Sequence, residues 1–208
     1  MTAALDHLVY AAHDLDAAVE QLASVLGVRA SAGGQHVGVG TRNYLLSFGN
    51  GSYLEVIGPD PDQPAPAQPR PFGIDSLTTG RLVTWGMRVA DLDAVLAAAR
   101  GAGYDPGAAR AMSRATPSGD VLSWRLTTPP LGDDGGIIPF LIDWGATTHP
   151  STTAIGGVTL ASLIAEHPAP APVTFALHAL GAPLDVRAGP IPRLVARLSG
   201  PAGVIELS

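Results

Sequence analysis

The chain has 208 residues, 46% hydrophobic and 14% charged, a composition that buries a core and excludes general disorder. The net charge of −6 excludes the basic face that a nucleic-acid partner needs. With no cysteine, disulfides and thiolate ligands are excluded; with no signal peptide and no apolar run of ~20 residues, the expectation is a soluble, cytoplasmic protein with no membrane partner.

Residues 5–11 read as an apolar strand and run into a helix capped by His13 or Asp14. Leu15, Val19, Leu22 and Leu26 recur at helical spacing, and Gly27 stops the helix. The Gly-rich stretch 31–40 lacks the Lys-Ser/Thr ending of a phosphate loop, and a strand follows it. It reads as an irregular strand or loop lying close to another backbone or a ligand. Strands are expected over 41–48 and 52–57, joined by the hairpin signal Asn50-Gly51. Residues 59–69 are Pro-rich and read as an extended linker.

The plan then restarts. Asp14-Leu15-Asp16-Ala17 and Asp91-Leu92-Asp93-Ala94 stand 77 positions apart, and a repeat decides architecture before any single residue does. A strand over 82–89 and a helix over 91–102 lead into strands near 109–115, 121–128 and 137–144, with turns at 118–120 and 132–136. The tail reads as a shorter third round. It has a strand at 157–166, a helix at 173–180 closed by Gly181, and strands at 184–188, 193–199 and 204–207. Its Val204-Ile205-Glu206-Leu207 resembles Tyr53-Leu54-Glu55-Val56. The expected class is α+β, organised as 1–58, a linker 59–80, 81–149 and a C-terminal extension 150–208.

Several pieces carry a family likeness: Asp6-His7-Leu8-Val9, Asp14-Leu15-Asp16-Ala17, Gly33-Gly34-Gln35-His36, Gly40-Thr41-Arg42-Asn43, Tyr53-Leu54-Glu55-Val56-Ile57 and Pro139-Phe140-Leu141-Ile142-Asp143-Trp144. Together they resemble the glyoxalase-like domain proteins of the vicinal-oxygen-chelate superfamily. The resemblance implies tandem βαβββ modules curled into a half-barrel cup, with a degenerate third module at the C-terminus. It also implies a divalent metal (Zn, Ni, Mn or Fe) held from the first and last strand of each module. His7 and Glu55 match those positions in the first module. The second departs: Thr84 stands where His7 does, and aligning Gly58 with Gly145 sets Ile142, not Asp143, opposite Glu55.

The other candidates follow from strand faces. Thr41, Asn43, Leu45 and Ser47 share one face by period two, with Tyr44, Leu46 and Phe48 on the other. Facing the cup, Thr41 and Asn43 would bind substrate, while Glu55 or His36 would serve as catalytic base; the bland alternative is a solvated strand edge. Arg88 and Arg125 sit within apolar strands, where a charge must be paired or wet. Each is either a cup residue for an anionic substrate or an outer residue paired with an acid. Arg114 reads as a rim residue, and His149 as a turn residue. The function the resemblance implies is proton transfer or isomerisation on a small carbonyl- or carboxylate-bearing metabolite, of lyase or isomerase type. The alternative is metal-free binding or sequestration in the same cup. The expected partner is a small-molecule ligand, with a homodimer as a candidate assembly.

Overall fold

A computed structural model describes residues 4–116, 119–128 and 134–208. The elements run β1 Ala4–Ala11, α1 Leu15–Leu26, β2 Ser31–His36, β3 Thr41–Ser47, β4 Tyr53–Pro59, β5 Arg81–Arg88, α2 Leu92–Gly101, β6 Ala108–Ala115, β7 Val121–Thr128 and β8 Phe140–Asp143. They continue with β9 Thr159–His167, α3 Pro170–Leu180, β10 Asp185–Ala188, β11 Arg193–Ser199 and β12 Val204–Leu207. The expected turns at 118–120 and 132–136 lie partly outside the described residues.

Local chemistry places the helices. Asp14 and Asp91 accept from the backbone N–H three residues on, and Gly27 closes α1 at φ 76°. Helix α3 starts at Pro170, three residues before the expected 173, because proline is preorganised for a first turn and has no N–H to orphan there. Strand β8 begins at Phe140 rather than 137: the Ile137 carbonyl is taken by the Trp85 indole N–H, and Pro139 has no N–H for a ladder.

Strands β1 to β8 close into a barrel in the order β1-β4-β3-β2-β6-β7-β8-β5. The expected half-barrel is therefore corrected to a closed one. Antiparallel β1–β5 pairing seals one seam, and the Gln35–Ala115 bridge between β2 and β6 seals the other. Strands β10-β9-β11-β12 form a separate sheet. Helix α3 packs on α2, β12 on α1 and β11 on β5. The main core lies between the outer barrel wall, the helices and this sheet, and includes Leu8, Leu22, Leu54, Trp85, Leu96, Leu177 and Leu198. Among the described residues, no helix is long and apolar enough to cross a membrane.

A second, smaller core sits inside the barrel: Val9, Ala11, Ile57 and Val83, joined by Ile74 from a 3-10 segment, Pro71–Ser76. The stretch read as a linker thus supplies a plug, with Ile74 0% exposed. The interior of an eight-stranded barrel is just wide enough for side chains to fill or for one small ligand. Ile74→Ala is expected to destabilise the fold by about 2–5 kcal/mol, measured as a lower urea midpoint at unchanged slope. A change below about 1 kcal/mol would show the plug to be dispensable.

Candidate active site inside the barrel

Immediately beyond the plug, the inward faces turn polar. His7 follows Val9 and Ala11 on β1, and Glu55 and Tyr53 follow Ile57 on β4, because successive inward side chains are two residues apart. Strands β1 and β4 are parallel, with His7 beside Tyr53 and Val9 beside Glu55. Strand β3 sends Thr41, Asn43 and Leu45 inward, all buried.

Glu55 sits at the centre. One carboxylate oxygen accepts from the Asn43 amide and lies 3.9 Å from His36 Nε2; the other lies 3.6 Å from His7 Nε2. His36 Nδ1 is 3.0 Å from the Thr41 hydroxyl. Burial holds His36 below the usual histidine range, though Glu55 opposes this, so the ring is neutral and able to take a proton. The Tyr53 ring stacks on His7 at 4.7 Å, and burial pushes its phenol well above the ordinary tyrosine value.

Behind His7 lies a network that strand periodicity does not reveal. Asp6, the next residue on the same strand, should face the other way, but an irregularity between Leu5 and His7 breaks the alternation. Its fully buried carboxylate accepts from His7 Nδ1 at 2.6 Å, His149 Nε2 at 2.8 Å and the Trp144 indole at 2.9 Å. Burial alone would raise the Asp6 pKa, but the hydrogen bonds from His149 and His7 outweigh it and hold the carboxyl far below the usual range. Burial alone would lower the His7 pKa, but the Asp6 bond and the charges of Asp6 and Glu55 raise it. With Nδ1–H committed to Asp6, His7 presents Nε2 to Glu55.

The structure therefore brings His7, His36, Thr41, Asn43 and Glu55 together. Two expected substrate-binding residues stand apart from this cluster. Arg88 donates to the Gly51 carbonyl at 3.3 Å, beside the β3–β4 hairpin. Arg125 stands at the edge of a cavity, but both arms of its guanidinium are held by Asp93 on α2. The outer, acid-paired alternative is the arrangement seen for Arg125. The arginine that reaches the site is Arg114 on β6, expected at the rim and found 6% exposed, donating to the Gly33 carbonyl. Burial lowers its pKa, with Glu55 and Tyr53 opposing. A side chain on Gly34 would come within 2.6 Å of Arg114 Nη1, and one on Gly33 within 2.2 Å of Asn43 Oδ1. The glycine pair thus makes the room these groups occupy. His149, read as a turn residue, joins the site through Asp6.

The donors do not fit a metal centre of three protein ligands. Among the described residues, no group of three or more His, Asp or Glu side chains is placed to hold an ion. In the second half of the barrel the matching positions are Thr84 and the inward-facing Ile142, while Asp143 accepts from the Gly145 N–H beside Arg125. His7, Glu55 and His36 are the groups nearest to forming such a set.

A cavity of about 1310 Å³ opens beside the cluster, bordering it at Gly33, Leu45 and Arg114, while His7, His36 and Glu55 do not line it. Trp124, Trp144 and Pro150 also line it.

Fold and site together define a mixed α+β barrel protein that keeps its polar chemistry inside the cup. Residues 5–181 match the glyoxalase-like domain family. The chain belongs to that family. A hypothetical protein from Staphylococcus aureus is similar over 99% of this chain and 84% of its own, at 17% identity and TM-score 0.65. Methylmalonyl-CoA epimerase from Mycobacterium tuberculosis is similar over 68% of this chain and 87% of its own, at 23% identity and TM-score 0.44. A hypothetical protein from Bacillus halodurans aligns over 71% of this chain and 99% of its own, at 12% identity and TM-score 0.48. The first likeness supports the fold; none bears on activity. No curated protein matches the sequence.

Proposed function

We propose that this protein acts on a small carbonyl- or carboxylate-bearing metabolite by proton transfer, with Glu55 as the base. One observation carries the reading. Glu55 is a carboxylate deep in the barrel, oriented on one side by the Asn43 amide and faced on the other by His7 Nε2. A carboxylate so held can take a proton from a carbon beside a carbonyl. His7, positioned by Asp6, can offset negative charge appearing on the substrate oxygen. His36, neutral and 3.9 Å from the same carboxylate, is the second group able to receive the proton. Thr41 keeps the His36 ring oriented. We also read the three strand–helix–three-strand stretches as copies of one module, the third having lost its site.

The test is exchange. The protein is incubated in D2O with a panel of 2-oxo and 2-hydroxy acids and simple ketones, and loss of the carbon-bound proton is followed by NMR. Enzyme-dependent exchange on at least one compound is the expected outcome. Compounds that bind by thermal shift yet exchange no faster than in buffer would sink the reading. They would leave the second one, a binding or sequestering protein, which Thr84 and Ile142 at the second-half positions favour.

A further inference from the structure

Among the described residues Arg114 makes no ion pair, although the charge of Glu55 acts on it from farther off. Arg42, Arg70, Arg100, Arg125 and Arg193, all more exposed, each hold an acidic side chain. Arg114 is 94% buried by its 6% exposure, yet its guanidinium meets one backbone carbonyl, that of Gly33. A guanidinium has five N–H donors, and those of Arg114 not given to Gly33 are left to the cavity that it lines. Gly34 leaves room beside it: a side chain there would come within 2.2 Å of the Ala115 carbonyl and 2.6 Å of Arg114 Nη1.

The surroundings say what would complete it. Arg114 forms part of the wall of the 1310 Å³ cavity, alongside Leu45, Met112, Leu122, Trp124 and Trp144. That volume exceeds the roughly 300–1,000 Å³ typical of small-ligand pockets, and far exceeds what a bare three-carbon acid fills. The two tryptophan rings lie 5.1 Å apart, and among the described residues the buried Trp124 indole N–H has no hydrogen-bond partner.

We propose that Arg114 is the carboxylate anchor of this cavity, and that its ligand is an organic acid with an apolar or aromatic body lying along Leu45, Met112, Trp124 and Trp144. The inference rests on the proton-transfer reading only for which end of the acid faces Glu55. A planar carboxylate matches the fork of a guanidinium bidentately, and apolar lining pairs with an apolar body.

The test uses the full chain and three probes in titration calorimetry: 3-phenylpropanoate, its neutral amide, and acetate. The acid is expected to bind at least about tenfold more tightly than either the amide, which lacks the charge, or acetate, which lacks the body. Arg114→Gln is expected to remove the preference over the amide, and Arg114→Lys to keep part of it. If the Arg114→Gln chain fails to fold, the acid-to-amide ratio on the unaltered protein still decides. Equal binding of acid and amide, no binding of any probe up to about 10 mM, or undiminished acid preference in folded Arg114→Gln would each overturn the proposal. The two readings separate cleanly. Acid preference without exchange at carbon keeps the anchor and sinks Glu55 as base; exchange without acid preference does the reverse.

Discussion

Glu55→Gln is expected to slow deuterium exchange at the substrate carbon by about 10²–10⁴-fold, the usual contribution of a positioned general base. The substitution suits the question because it conserves shape. The glutamine carbonyl can still accept from Asn43, and His7 keeps its bond to Asp6, so binding and fold should persist. What is lost is the group that takes the proton. Exchange rates for the two proteins, measured alongside thermal melts, decide the matter. Exchange within about threefold of the unaltered protein would assign the base elsewhere, with His36 the next group to substitute.

Asp6→Ala is expected to be the most destabilising single change in the site. Its carboxylate receives three hydrogen bonds, from His7, His149 and Trp144, and removing it leaves two imidazoles and an indole without a buried acceptor. Breaking a buried charged network by deleting one partner costs about 3–5 kcal/mol. For a chain of this size that is a fall in Tm of roughly 6–20 °C. The effect also has a defined pH window. The Asp6 pKa is depressed in the fold, so its contribution is full above the unfolded value of about 4 and lost as pH falls through the folded one. The His7 pKa is raised, so its contribution is full below the unfolded value of about 6.5 and lost as pH rises through the folded one. The Tm gap between the two proteins should therefore be widest between about pH 4 and 6.5 and narrow on the alkaline side. A gap that widens steadily above pH 8 would contradict this pairing.

Part of this site was legible in the sequence because strand periodicity is a local property. Counting by two put Thr41 and Asn43 on one face of β3, the family resemblance supplied His7 and Glu55, and the four converge. His36 joined them because β2 pairs with β3 in a short hairpin that sets His36 against Thr41. The same counting could not find Asp6, because an irregularity in β1 turns two adjacent side chains toward the same interior. It could not choose among Arg88, Arg114 and Arg125 either. All three lie in strands, and only the packing of each face shows that Asp93 waits outside for Arg125 while, among the described residues, no acidic side chain forms an ion pair with Arg114.

The sequence by itself determined the order and placement of nearly all the elements: capping aspartates, stop glycines, hairpin turns and alternating apolar residues act within a few positions of one another. Tertiary structure alone decided the rest. Closure of the barrel brings β2 to β6, Gly33 to Arg114 across 81 positions, and Asp6 to Trp144 across 138. The linker became a plug because the barrel end needed one buried aliphatic side chain and Ile74 was within reach. Such contacts depend on the net balance of burial, counter-charge and hydrogen bonding over the whole fold, and no local pattern in the chain records that balance.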